Sequence, residues 1–131
     1  MTEYTENETM DTRRFICTVD DTTFAGKKAL VNARNSAVSL KNSFGIGKPF
    51  NVVGAYTTPG IRTQSGTPCT NVYLFAADGT TYFTQSEGIN RSVLDIADMF
   101  PDFNADNGGI TVVVKSTKLD SGKTIKSLEI Q

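Results

Sequence analysis

The sequence has no histidine and only two cysteines in 131 residues. Without an imidazole, the Ser-His and Cys-His nucleophile pairs, the H-E-x-x-H zinc site and every His-ligated metal are excluded, because each needs a ring that titrates near neutral pH. Two isolated thiols, Cys17 and Cys69, fall short of a four-ligand metal site. In a reducing compartment they are expected to be buried and free. No apolar stretch approaches the length of a membrane span, and the opening MTEYTENETMDT is acidic and polar, with no hydrophobic segment of the kind a signal peptide carries. The expectation is a cytoplasmic protein with no membrane partner, no cofactor and no metal.

Acidic residues are missing from one long stretch. From Lys27 to Ala77 there are six bases (Lys27, Lys28, Arg34, Lys41, Lys48, Arg62) and no acid, although the formal charge of the whole chain is −1. A balanced total argues against a nucleic-acid partner; a segregated one does not, since phosphate neutralisation needs basic side chains only along the path of the backbone. The opposing reading is a solvated positive face with no partner.

Length predicts one domain. Residues 1–11 carry Glu3, Glu6, Glu8 and Asp11 and no aliphatic residue beyond two methionines, which predicts a mobile acidic arm. Residues 12–131 are expected to form the domain, with extra N-terminal strands in 12–45 and a barrel in 49–131. Arg13 to Val19 alternates as a strand does. Lys28 to Arg34 and Ala37 to Lys41 read as short strands, although ALVNAR also passes as a helical turn. Phe50 to Thr58 places Phe50, Val52, Gly54 and Tyr56 on one face of a long strand with a glycine bend, stopping at Pro59-Gly60. Asn71 to Ala76 and Thr80 to Thr84 flank Asp78-Gly79, a dipeptide that suits tight hairpin turns. Val93, Ile96, Ala97 and Phe100 recur at helical spacing, with Ser92 and Asp95 placed like a capping box and Pro101 ending the run. Ile110 to Ser116 and Thr124 to Ile130 flank Asp120-Ser121-Gly122 as a second hairpin.

From Phe50 the order is therefore strand, strand, strand, helix, strand, strand. That predicts an all-β fold, an OB-fold five-stranded barrel with one short helix between strands three and four; an SH3-like barrel or a small sandwich also fits the spacing. An OB-fold binds oligonucleotides across its second and third strands, where aromatic rings stack on bases of any sequence. Tyr56 and Tyr82, bracketed by threonines, are the first candidates for stacking, Tyr73 the next, and the phenylalanines are assigned to the core. Arg34, Lys41, Lys48 and Arg62 are the candidates for phosphate contacts, with Lys115, Lys118, Lys123 and Lys126 in the last hairpin as a second group.

Other motifs fail on inspection. Gly45-Ile46-Gly47-Lys48 suggests a phosphate cradle, but Asn42 stands where the first Walker glycine belongs and Pro49 where a Ser or Thr should hold magnesium. Asp102, Asn104 and Asp106 imitate a calcium loop, yet Val113 occupies the position of the bidentate acid. Asp95, Asp98 and Asp102 are better explained by the polar face of a helix than as catalytic carboxylates.

Several stretches resemble the single-stranded-DNA-binding proteins of bacteriophages, in particular the type used in protein-primed replication by Bacillus phages. They are Thr18 with Asp20 and Thr23, Gly26, Asn32-Ala33, Ser39 with Lys41-Asn42, Gly54 to Tyr56, Phe75-Ala76-Ala77-Asp78-Gly79 followed by Tyr82, then Val112, Val114 and Ser121-Gly122. The similarity runs from about residue 17 to 131, and FAADG-x-x-Y is its most specific block. The resemblance implies an OB-fold protein that coats displaced single strands during phage genome replication, with tyrosines stacking on bases at Tyr56 and Tyr82. A third stacking tyrosine of the family has no counterpart between Thr57 and Pro68, where Arg62 and Gln64 stand instead; a cation-π or phosphate contact is expected there. Phage replication proteins are further implied partners. The alternative functions are a protein-interaction module of a phage using the same barrel face, and RNA binding by that surface.

Overall fold

A computed structural model describes residues 13–40, 47–101, 103–104 and 107–131, and the expected acidic arm and Lys41 lie outside them. The elements are α1 (Phe24–Ser36), β1 (Val38–Ser39), β2 (Phe50–Ile61), β3 (Pro68–Ala76), β4 (Thr81–Thr84), α2 (Glu87–Met99), β5 (Ile110–Lys118) and β6 (Thr124–Ile130). The strands form one six-stranded sheet in the order β1-β4-β3-β2-β5-β6, curled into a half-barrel. Among the described residues only the β1–β4 pair is parallel.

The two hairpins form where turn chemistry placed them. In the first, Gly79 takes φ +92°, the Asp78 carboxylate accepts from the Thr80 N–H at 2.9 Å, and Ala76 N–H donates to the Thr80 carbonyl at 2.9 Å. In the second, Gly122 takes φ +88° and Leu119 N–H closes on the Lys123 carbonyl at 2.7 Å. A positive φ of this size costs little without a Cβ. Strand β2 runs on through Pro59-Gly60 to Ile61 instead of stopping there, because Pro59 faces Thr70 across β3 and is not required to donate.

On its other edge, β2 changes partner partway along. Phe50 to Val52 pairs with β5. Beyond it, the N-terminal segment takes over: Thr18 N–H donates to the Ala55 carbonyl at 3.0 Å and Thr57 N–H to the Ile16 carbonyl at 2.9 Å. Side chains reinforce the join, with the Thr18 hydroxyl accepting from Ala55 N–H at 3.0 Å and the Thr57 hydroxyl from Ile16 N–H at 2.8 Å. The segment expected as an N-terminal strand makes an isolated bridge, Cys17 to Tyr56. Its next expected strand, Lys28 to Arg34, is helical within α1, which Thr23 caps by accepting from Gly26 N–H. Cys69 is buried as expected, but Cys17 is exposed.

Helix α2 begins five residues before the expected capping box, with Ser86 as N-cap accepting from Ile89 N–H at 3.3 Å. Ser92 instead ties the helix to the sheet, its hydroxyl donating to the Gly88 carbonyl at 3.1 Å and accepting the Leu128 N–H of edge strand β6 at 3.0 Å. Gly88 allows this closeness, since a Cβ there would stand 1.9 Å from the Lys126 carbonyl oxygen. Ile89, Val93 and Ile96 of α2 enter a core with Phe50, Val52, Val72, Leu74, Tyr82, Val112, Val114 and Leu128. Phe100, expected on that helical face, is the C-cap and is exposed.

Candidate functional site

The core fills the concave side of the half-barrel, so the question is which side chains the register leaves on the other side. A bulge decides it. Between Val52 and Gly54 the β2–β3 register shifts by one, so Val52 and Ala55 both point to the core while Tyr56 points away from it. The uninterrupted alternation read from the sequence put Val52 and Tyr56 on one face; the extra residue separates them. Gly54, beside the bulge, lies beneath Phe75: a Cβ there would come within 2.8 Å of the Thr18 hydroxyl and 3.3 Å of the Phe75 ring.

Across the outer face Tyr56 pairs with Tyr73, and Tyr73 pairs with Phe83. Direct cross-strand neighbours are close enough for rings to meet. Tyr56 and Tyr73 stack with centroids 5.6 Å apart and planes at 26°, and Tyr73 and Phe83 lie tilted at 5.3 Å and 49°. The result is a three-ring ladder over β2, β3 and β4. Tyr73, in the middle, is only 8% exposed, while Tyr56 and Phe83 are half-buried and present ring surface to solvent. Burial pushes the Tyr73 phenol above its ordinary pKa, with the Arg34 charge pulling the other way, so this central ring is neutral at physiological pH.

Helix α1 brings Arg34 to the ladder. Its guanidinium sits 5.6 Å from the Tyr56 centroid and donates to the Tyr56 hydroxyl, an interaction that raises the guanidinium's pKa further. Held by that hydrogen bond, the guanidinium lies at the hydroxyl end of the Tyr56 ring, with its remaining N–H groups exposed. Toward the far end of β2 the outer face turns polar: the Gln85 side-chain amide donates to the Asn71 side chain at 2.9 Å, and Arg62 donates to the Gln85 carbonyl at 3.0 Å.

The residues singled out in the sequence therefore separate. Tyr56, Tyr73 and Arg34 come together, and Arg62 joins them at the polar end. Lys48 is exposed just before the opposite end of β2, where the Gly47 N–H donates to the Val114 carbonyl, and it does not approach the rings. Tyr82 is a correction. It is 7% exposed, pairs with inward-facing Leu74, and meets Phe50 edge-on at 5.8 Å in the core. Its neighbour Phe83 takes the outward place assigned to it. Residue type favoured the tyrosine for the wet face; register overrode that preference, because alternation allows only one of two adjacent rings to face out. The signal that finds Phe83 is the antiparallel pairing across Asp78-Gly79, which puts it opposite Tyr73.

Among the described residues no cluster of His, Cys, Asp or Glu is arranged to hold a metal, and no helix is long and apolar enough to cross a membrane. No curated protein and no solved structure gives a significant match to the chain. Residues 9–131, nearly all of it, match the family model of the Phi29 type described as phage single-stranded DNA-binding protein. With that coverage, the chain belongs to the Phi29-type family of phage single-stranded DNA-binding proteins.

Proposed function

We propose that this protein binds single-stranded DNA with little sequence preference, coating and protecting unpaired strands during phage replication in the host cytoplasm, and that it performs no catalysis. The observation that carries the reading is the Tyr56–Tyr73–Phe83 ladder on the open face of the sheet with Arg34 set against its outer ring. Flat rings facing solvent accept any base, because every base has a π-face, and an adjacent guanidinium stacks on a base or holds its phosphate. In this reading Tyr56 and Phe83 stack on bases, Tyr73 holds them in place from between, and Arg34 and Arg62 contact phosphates. The half-barrel is then an OB-type sheet in which β2 to β6 are the five strands, α2 stands between the third and fourth, and β1 is an added edge.

The mechanism is differential binding of unpaired strands. In a duplex the π-faces are occupied by neighbouring pairs and cannot reach the ladder, so association stabilises the separated state by mass action and opposes reannealing. Titration with poly-thymidine, followed by tyrosine fluorescence at two salt concentrations, tests this. Quenching that is strong at low salt and weak at high salt is expected; a Tyr56→Ala, Phe83→Ala double variant with wild-type affinity overturns the assignment.

A further inference from the structure

Beyond Arg62 the surface opens into a groove between the start of α2 and the turn of the β5–β6 hairpin, lined by Arg62, Glu87, Arg91, Lys123, Ile125 and Lys126 among others. Four cations face one acid. Two cations elsewhere on the surface are neutralised: Lys115, in the same hairpin, bonds Glu129 at 3.0 Å, and Arg14 is held by Asp98 at 2.6 Å. Among the described residues Arg91, Lys123 and Lys126 have no ion pair. Concentrated positive charge left without counter-charge raises the local potential and draws in an anionic chain.

We propose that this groove is a second DNA contact, holding the sugar-phosphate backbone of the strand whose bases lie on the ladder. The inference rests on the reading of the ladder given above. Continuity along the outer face argues for the same strand as the occupant. Tyr56 and Thr58 on β2, Tyr73 and Asn71 on β3, and Phe83 and Gln85 at β4 succeed one another at the two-residue spacing of one sheet face. Arg62 then joins Gln85 to the groove. From Phe83 to Ser86, which lines the groove, is three residues, about 10 Å of strand, and from Tyr56 to Arg62 is six, about 20 Å, so the groove begins just past the rings and is reached by the nucleotides that follow those stacked there. Ile125 and Leu119 line it as well, giving apolar surface against which sugars and base edges rest. The division of labour is explicit: rings at one end take bases, and cations at the other take backbone.

Length dependence tests the proposal. The Arg91→Ala, Lys123→Ala, Lys126→Ala triple variant, the wild type and a Lys115→Ala control are titrated with a thymidine dinucleotide, which the rings alone accommodate, and with a thymidine oligomer of about 16 nucleotides, the upper end of OB-type site sizes, across a salt series. Far-UV circular dichroism checks that each variant is folded. The triple variant is expected to bind the long oligomer about tenfold more weakly at low salt, with its salt slope reduced by about 2, three single-strand phosphate contacts at about 0.7 each. It should bind the dinucleotide as the wild type does, and Lys115→Ala should match the wild type on both. Wild-type affinity and slope of the triple variant for the long oligomer overturn the groove while leaving the ladder standing. Equal losses on both lengths, or an equal loss in Lys115→Ala, also overturn it, since they report general charge. Failure of the ladder itself reads out separately, as wild-type binding of the dinucleotide by the Tyr56→Ala, Phe83→Ala variant.

Discussion

Adjacent aromatic residues with opposite orientation offer a test of the register at single-residue resolution. Tyr82 is packed in the core against Phe50, while Phe83 lies on the outer face against Tyr73. Truncating a buried large aromatic to Ala costs about 3 to 5 kcal/mol through lost transfer energy and the cavity left behind. Against a total stability of about 5 to 15 kcal/mol for a domain, Tyr82→Ala should lower the denaturant midpoint sharply. Tyr82→Leu keeps the position apolar and should cost less. Neither touches the outer face, so DNA affinity per folded molecule should be unchanged. Phe83→Ala reverses the pattern. It loses a half-exposed ring pair, about 0.5 to 1.5 kcal/mol of stability, but a stacking surface of about 1 to 3 kcal/mol in binding, which is about 5- to 150-fold in Kd. Urea denaturation gives the first quantity and fluorescence anisotropy with a labelled thymidine oligomer the second, measured on Tyr82→Leu so that unfolding does not confound it. A Tyr82→Leu variant that is as stable as the wild type but binds DNA poorly, beside a Phe83→Ala variant that binds normally, would refute the register.

Other perturbations bear on the supports of that face. Arg34→Ala removes the cation beside Tyr56 and should reduce the magnitude of the salt slope by about 0.7, with the thermal midpoint little altered because the side chain is exposed; an unchanged slope would place Arg34 off the DNA. Gly88→Val puts a side chain into the Lys126 carbonyl, so α2 must lift from β6, and hydrogen exchange at the Leu128 amide should accelerate strongly. Asp98 and Asp78 both have carboxyl pKa values held below the usual range, Asp98 by its hydrogen bond from Arg14 and Asp78 by those from Thr80. Their contribution to stability is complete above the ordinary Asp pKa of about 3.9 and is lost as pH falls through the depressed folded values. Asp98→Asn should therefore flatten the loss of thermal stability below that pH, as followed by circular dichroism.

The elements from Phe50 onward were legible because local chemistry specifies them. Asp78-Gly79 and Gly122 dictate turns wherever they fall between alternating segments, and Pro101 ends a helix in any context. What could not be read was decided by non-local geometry. Gly54 marked a bend in β2 but not the extra residue beside it; the register shift falls where β2 exchanges β5 for the N-terminal segment. Tyr56 consequently reached the outer face by a route that simple alternation contradicts. Tyr82 and Phe83 differ by one hydroxyl, and only the partner strand tells them apart. Helix α1 was ambiguous because it buries only Gly26 and Ala33 and leaves Phe24 and Val31 exposed, so its sequence carries little of the apolar periodicity that identifies a helix. The acid-free run was a sound pointer to charge but a poor one to place: of its cations Arg34 and Arg62 stand along the outer face and Lys48 does not, while Arg91, Lys123 and Lys126 come from segments outside it.

The cover that α2 lays over β6 bears on whether copies can meet edge to edge. With Ser92 accepting from the Leu128 amide and Gly88 packed close over the Lys126 carbonyl, α2 covers the middle of that margin, and the opposite margin, β1, is two residues long. Neither offers a template on which a neighbour can polymerise by strand addition. Edge-to-edge growth into an extended sheet is thereby disfavoured at both margins of the fold.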